Sequence, residues 1–461
     1  MKTPGFRILA AALAALLPAC GGDHGSGGGS VNPAFPVTMT EPSAGQTFTA
    51  PATISMSAVA ADPGSVATVE FLQGAGLNLL LTGGQSGSDT SVVATFAQPP
   101  FQATLTDMPA GIHTFVARMT DKAGTQTFSN SVTISVLAPG ESPGGWVPIA
   151  RVPNLAGGGR SIWFVDADRG WIASFDQTIV HTEDGGASWV VQLGGSPTGT
   201  MGPKILQMQF VDAERGWAVG FGGPDGTVLR TTDGGATWTP GFVGPSTFVS
   251  ALSFVDADVG WVAGASFVDG APSGVVWVTK DGGVTWTPLA TGLSSLDAVR
   301  FVDRLNGWAM GSVDFRGVIL HTTDGGLTWS EQLRADLSVY FRAMDFVSAT
   351  TGWVSRAGFL PEHNRILATN DGGATWTEQS YPGSDTISAL DFVSPSQGWG
   401  TTRSAAIIHT DDGGASWVTQ QGSGEPFGPG FMDVRFINAN VGWALRQDGL
   451  LFKTTTGGKA P

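Results

Sequence analysis

The chain has 461 residues, length for two to four domains, and 41% of them are apolar, enough for sizeable cores. Only 13% are charged, Gly reaches 67 residues, and Trp (16) far outnumbers Tyr (2). This mixture excludes a coiled coil, a helical bundle and a disordered chain, and it suits many short strands joined by turns. The formal charge of −15 lacks the basic footprint with which a nucleic-acid binder displaces counterions. Cations, basic proteins and neutral glycans remain as partner classes.

Residues 1–20 read as a signal peptide: Lys2 and Arg7 precede an apolar run from Ile8 to Leu17 that is too short to span a bilayer. Leu17-Pro18-Ala19-Cys20 places the sole Cys of the chain at the cleavage point. The arrangement resembles the bacterial lipoprotein signal, which implies acylation of Cys20 and a lipid anchor in the cell envelope, at the outer membrane or cell surface. An ordinary signal peptide with an incidental Cys is the alternative. Residues 21–35, rich in Gly and Ser, read as a flexible tether.

From 36 to 137, β-type runs alternate with turn clusters: TISMSAVA, ATVEFLQ, SVVATFA, FQATLTD, HTFVARMTD and SNSVTISV. About seven such runs predict an immunoglobulin-like sandwich. PSAGQTF, VEFL, MPAGIHTFVARMTDKAG and SVTISV are similar to bacterial immunoglobulin-like modules, a resemblance that implies a spacer or weak adhesive role. Glu70, Asp107, Asp121 and Lys122 read as surface or turn residues, and His113 as an ordinary strand histidine. Residues 138–145 (APGESPGG) form a Pro/Gly linker.

From Trp146 onward the chain repeats. An aromatic-led strand and a turn end in Gly-Trp at Gly170, Gly216, Gly260, Gly307, Gly352, Gly398 and Gly442, with spacings of 44–47 residues. Inside each repeat lies a second motif: HTEDGGASW, RTTDGGATW, VTKDGGVTW, HTTDGGLTW, ATNDGGATW, HTDDGGASW and a decayed KTTTGGK. Four strand-like runs per unit at this period predict a seven-bladed β-propeller over 146–461, so the whole chain is all-β.

The second motif resembles the Asp-box of sialidases and related propellers. Its aspartates (Asp184, Asp233, Asp281, Asp324, Asp371, Asp412) are expected to accept backbone N–H bonds across a tight hairpin, a structural and not a catalytic role. The two Gly supply positive φ. The Trp of this motif is expected to fill the gap between blades. The seventh copy has neither a Trp nor a fourth strand, while Trp146 and the strand after it precede the first unit. Residues 146–152 are therefore expected to supply the outer strand of the last blade.

The spacing from each Gly-Trp to the following DGG motif runs from 14 to 21 residues, and from that motif to the next Gly-Trp from 26 to 32. The excess falls in second-to-third and blade-to-blade connections, which share one face, where binding residues concentrate. That face is expected to carry 194–204, 221–226, 266–274, 312–317, 356–365 and 422–430. Arg160, Asp297 and Arg342 stand four residues before the Phe of their repeats, near the channel rim on that side. The binding candidates are Arg160, Asp297, Arg342, Arg356, Glu362, His363 and Arg365, with solvated surface loops as the alternative.

No catalytic residue, metal site or cofactor is expected. A sialidase needs three Arg on a carboxylate and a Tyr–Glu pair, and Ala150-Arg151-Val152-Pro153 matches its Arg-Ile-Pro element only faintly. His181, His321 and His409 occupy the same slot in different blades and cannot converge on one metal. Asp166-Ala167-Asp168 and Asp256-Ala257-Asp258 hint at Ca²⁺ loops, but equivalent turns in later repeats have one acid or none.

The pairing of Phe-led Gly-Trp strands with TxDGGxTW motifs at seven near-equal intervals resembles the photosystem II assembly and stability factor family over about 146–461. That resemblance implies a seven-bladed propeller that holds a protein subunit during assembly. The expectation is a monomeric, non-catalytic, surface-anchored scaffold that recognises a protein or a glycan and no nucleic acid. A carbohydrate-active Asp-box enzyme, sialidase-like or another glycoside hydrolase, is the alternative.

Overall fold

The computed structural model describes residues 36–74, 90–139, 145–152, 155, 158–194, 204–222, 226–241, 243–244, 247–267, 270–358, 360, 363–383, 385–421 and 429–460. The leader, Cys20, the tether, most of the linker and Glu362 lie outside the described residues, as do parts of the expected binding loops. The described residues form one compact unit that holds both the sandwich and the propeller.

The N-terminal part is a β-sandwich. Strands Val37–Glu41, Ala52–Ala60 and Phe101–Met108 make one sheet. Thr47–Thr49, Val132–Leu137, Gly111–Asp121, Val66–Gly74 and Thr90–Phe96 make the other, with Gln126–Phe128 paired to Gly111–Asp121. Alternation along Ala52–Ala60 sends Ile54, Met56 and Ala58 inward to meet Val69, Phe71, Phe115 and Ile134 of the facing sheet, the burial that holds a two-layer fold together.

Seven four-stranded antiparallel sheets follow. Their innermost strands are Gly159–Phe164, Lys204–Phe210, Thr247–Phe254, Ser295–Phe301, Val339–Phe346, Ile387–Phe392 and Phe431–Phe436, in blades one to seven. The second strand of each blade begins at the Gly of Gly-Trp, and the DGG hairpin joins the third strand to the fourth. In blade seven the fourth place is taken by Gly145–Arg151, antiparallel to Leu450–Gly458. The fold is thus an all-β seven-bladed propeller preceded by an immunoglobulin-like sandwich. The sandwich rests on this closing strand: Ser131 Oγ donates to Arg151 O at 2.8 Å, and Gly45 packs against Ile149.

One aromatic unit repeats around the ring. Each Gly-Trp indole is almost fully buried and lies flat on the Phe that ends the first strand of the next blade. The seven pairs (Trp171–Phe210, Trp217–Phe254, Trp261–Phe301, Trp308–Phe346, Trp353–Phe392, Trp399–Phe436 and Trp443–Phe164) have centroids 3.5–3.7 Å apart and planes within 11°. Each indole Nε1 also donates, at 2.8–3.1 Å, to the carbonyl of the first glycine of that next blade's DGG motif, or of the TGG that replaces it in blade seven.

The DGG-motif tryptophans also fill the gap between blades, each in a core cluster shared with the preceding blade. They stand edge-on to the Phe of their own blade, as in Phe346–Trp376 at 6.2 Å and 88°, and four of them (Trp238, Trp286, Trp329, Trp376) stay half-exposed. The geometry follows from strand order, because the second strand lies inside the ring and the fourth at its outer margin. The Gly before each inner Trp is needed for close approach: a Cβ on Gly170 or Gly307 would fall on the ring of Phe164 or Phe301.

Candidate functional site

The innermost strands are edge strands, so their N–H groups face the central channel without a sheet partner. Side chains of the preceding blade satisfy them. Gln209 Oε1 accepts from Phe254 N, Ser253 Oγ from Phe301 N, Asp345 Oδ2 from Phe392 N, and Asp391 Oδ2 from Phe436 N, at 2.5–2.9 Å. The same level holds ion pairs Arg300–Asp345 and Arg435–Asp391, both 3.1 Å, and Arg435 lies over the Trp163 ring at 3.8 Å. At the end nearest the Gly-Trp turns, the channel residues are thus bonded to one another.

The other end is built differently. Four residues before the Phe, every innermost strand has an irregularity in its pairing with the second strand. The residues there are Arg160, Leu206, Ser250, Asp297, Arg342, Ser388 and Met432, and a bulge frees such a residue from the ladder and re-aims its side chain. Here they line the mouth of the channel, a cavity of about 1120 Å³ on the face of the second-to-third and blade-to-blade loops. Ser250 Oγ donates to Leu296 O at 2.6 Å and Ser388 Oγ to Phe431 O at 2.7 Å, which ties the ring together.

The charged members are not used this way. Among the described residues, the side chains of Arg160, Asp297 and Arg342 make no hydrogen bond or ion pair, and neither does Arg403, which enters the cavity from the second-to-third turn of blade six. The structure therefore brings Arg160, Asp297 and Arg342 together and adds Arg403. Loss of water around Arg160 and Arg342 lowers their pKa values, and the charge of Arg403 lowers both further. Burial pushes the Asp297 carboxyl up, and Arg342 partly offsets this. Beside Arg160, Asp433 accepts from Ile162 N at 2.9 Å, and burial raises its pKa to about 7.

The remaining candidates lie elsewhere. Arg356 reaches outward to Glu378 of the fourth strand at 2.6 Å and donates to His363 O. His363 packs on Gly358, and Arg365 donates to Asn364 O at 2.7 Å. These three cluster on blade five and do not line the mouth.

The DGG aspartates are occupied by their own hairpins. Asp324 Oδ1 accepts from Thr322 Oγ1 and Thr328 N, and its Oδ2 accepts from Thr328 Oγ1. The same pattern recurs at Asp184, Asp233, Asp281, Asp371 and Asp412. His181, His321 and His409 stack on Trp171, Trp308 and Trp399. Asp166 and Asp256 cap their turns by accepting two backbone N–H bonds each.

No curated protein matches the sequence. Residues 36–117 match the bacterial Ig domain family. The structure is similar to that of YCF48 bound to a D1 peptide, with 21% identity, a TM-score of 0.52, and coverage of 69% of this chain and 99% of that one. It is also similar to YCF48 from Cyanidioschyzon merolae, with 19% identity, a TM-score of 0.52, and coverage of 67% and 98%. At these identities the likeness is one of fold: the second part of the chain is a propeller similar to those of YCF48, joined to an N-terminal domain of bacterial Ig type.

Proposed function

We propose that this protein is a non-catalytic binding scaffold whose channel mouth, on the loop-rich face of the propeller, holds a protein or glycan ligand. One observation carries the reading. The channel residues nearest the Gly-Trp turns are bonded to one another, whereas the side chains of Arg160, Asp297, Arg342 and Arg403 at the opposite mouth make no hydrogen bond or ion pair among the described residues. Desolvated, unpaired charge lowers stability and is kept where a ligand supplies the missing partner. The YCF48 propeller bound to a D1 peptide is a precedent for a peptide ligand on this fold. In this reading the lipid on Cys20 anchors a monomer in the bacterial envelope and the sandwich is a spacer.

The test is cross-linking and co-purification of the tagged, membrane-anchored protein beside an Arg160→Gln/Arg342→Gln variant. A partner captured by the first and lost by the second supports the reading, and equal capture overturns it. The enzyme alternative has one point in its favour, since the raised pKa of Asp297 suits a general acid. Turnover in a fluorogenic glycosidase panel that Asp297→Asn abolishes would replace the scaffold with an enzyme.

A further inference from the structure

We infer that the channel mouth binds an acidic sugar, a carboxylate carried on a hydroxylated ring such as a hexuronate. Arg160, Arg342 and Arg403 would meet the carboxylate, and Asp297 would accept from a ring hydroxyl. The inference rests on the reading of this mouth as the binding face and names its ligand class.

The charge pattern points to an anion. The chain carries 38 acids and 23 bases, yet three guanidinia converge in one cavity and act on one another unfavourably. Deeper in the channel the same fold neutralises arginines with its own carboxylates, Arg300 with Asp345 and Arg435 with Asp391. At the mouth no such pair forms. A guanidinium group offers planar, forked donors that match a carboxylate.

Asp297 narrows the class. It shares the cavity with the arginines but makes no ion pair with them. A phosphate dianion or a run of acidic residues would be repelled by it. A ligand that carries one carboxylate per ring, with hydroxyl donors beside it, meets both signs at once. The walls fit a ring as well: Phe221 and Phe248, with centroids 4.7 Å apart, and Tyr340 line the cavity, and they offer flat apolar surface beside the polar groups. A peptide carboxylate supplies the charge without the ring of hydroxyls.

The test is calorimetric titration of the full-length protein with trigalacturonate, its methyl ester, an acidic peptide with a free C-terminus and that peptide as its amide. Trigalacturonate is expected to bind at least about tenfold more tightly than the ester. Arg160→Gln, Arg342→Gln and Arg403→Gln should each weaken it by about tenfold, and Arg342→Gln and Arg403→Gln should do so without lowering Tm, because each removes a mutual repulsion. Asp297→Asn should weaken the ester, which loses its charged hydroxyl acceptor, and the acid less, because the acid's carboxylate is also relieved of a repulsion.

Equal binding of acid and ester, or no response to the arginine variants, overturns the inference. Preference for the free peptide over trigalacturonate overturns it in favour of a peptide carboxylate. If no anion binds while cross-linking still captures a partner through Arg160 and Arg342, the sugar assignment falls and the scaffold reading stands. Failure of both assays removes both.

Discussion

Trp146 stands edge-on to Phe436, with ring centroids 5.5 Å apart and planes at 88°. In blades one to six that position is filled by the tryptophan of the blade's own DGG motif, as in Phe346–Trp376. Trp146 comes instead from the first strand after the sandwich, and its Nε1 donates to Gln420 Oε1 at 3.0 Å. The two ends of the propeller chain are thus joined by an aromatic contact as well as by strand pairing.

Trp146→Ala is therefore expected to cost about 3–5 kcal/mol, the range for emptying a buried tryptophan site. Trp376→Ala, at a half-exposed copy of the same position, should cost clearly less. Thermal or denaturant unfolding of the two variants checks this, and an equal loss would mean that closure places no special demand on Trp146.

Gly307 carries the close approach between the second strand and the Phe301 ring, and a methyl group there has nowhere to go. Gly307→Ala is expected to destabilise by about 1–3 kcal/mol through overpacking. Gly194→Ala is the control, because a Cβ there meets nothing within 4 Å. Chemical denaturation of both variants gives the comparison.

The ring was legible because each blade repeats two local signatures, and the missing fourth strand of the seventh unit pointed to Trp146. The stacking of each Gly-Trp indole on the Phe of the next blade was not legible, since Gly-Trp shows a large apolar residue but not which neighbour it meets. The bulge was hidden for a similar reason: Arg, Leu, Ser, Asp, Arg, Ser and Met share no chemistry, and only strand pairing reveals that they hold one structural position. Arg403 was missed because the same place in the equally short turns of blades one and seven holds Phe175 and Gln447, so no shared residue type marks it. In the sandwich, Thr47–Thr49 and Gln126–Phe128 are too short to show a period.

The DGG carboxylates make stability depend on acid. Asp324 is held at about 2, below its ordinary 3.8, first by the Thr328 hydroxyl and then by the Thr328 N–H. A lowered carboxyl pKa stabilises the fold above the unfolded value, and that contribution is lost as pH falls through the folded value. Asp324→Asn should therefore lower Tm at pH 6, and its difference from the parent should close between pH 4 and pH 2. Tm measured against pH for the two proteins is the check, and a gap that stays constant would assign the loss to hydrogen-bond geometry instead of charge.

Asp433 works in the opposite direction. Burial raises its carboxyl to about 7, although it accepts from Ile162 N and Val434 N. A raised acid is protonated more readily folded than unfolded, so its ionisation subtracts stability as pH climbs from about 4 to 7, and the full loss stands above that. Asp433→Asn keeps an oxygen for Ile162 N and removes the charge. It is expected to gain on the order of 1–3 kcal/mol at pH 8, after allowance for water in the channel, and nothing at pH 4. Because Asp433 offsets the charge of Arg160, the same substitution should also tighten anion binding at pH 8 and leave it unchanged at pH 5. Unfolding and trigalacturonate titrations at the two pH values test both consequences, and a variant whose stability gain is the same at pH 4 and pH 8 would show that the carboxyl does not titrate in this range.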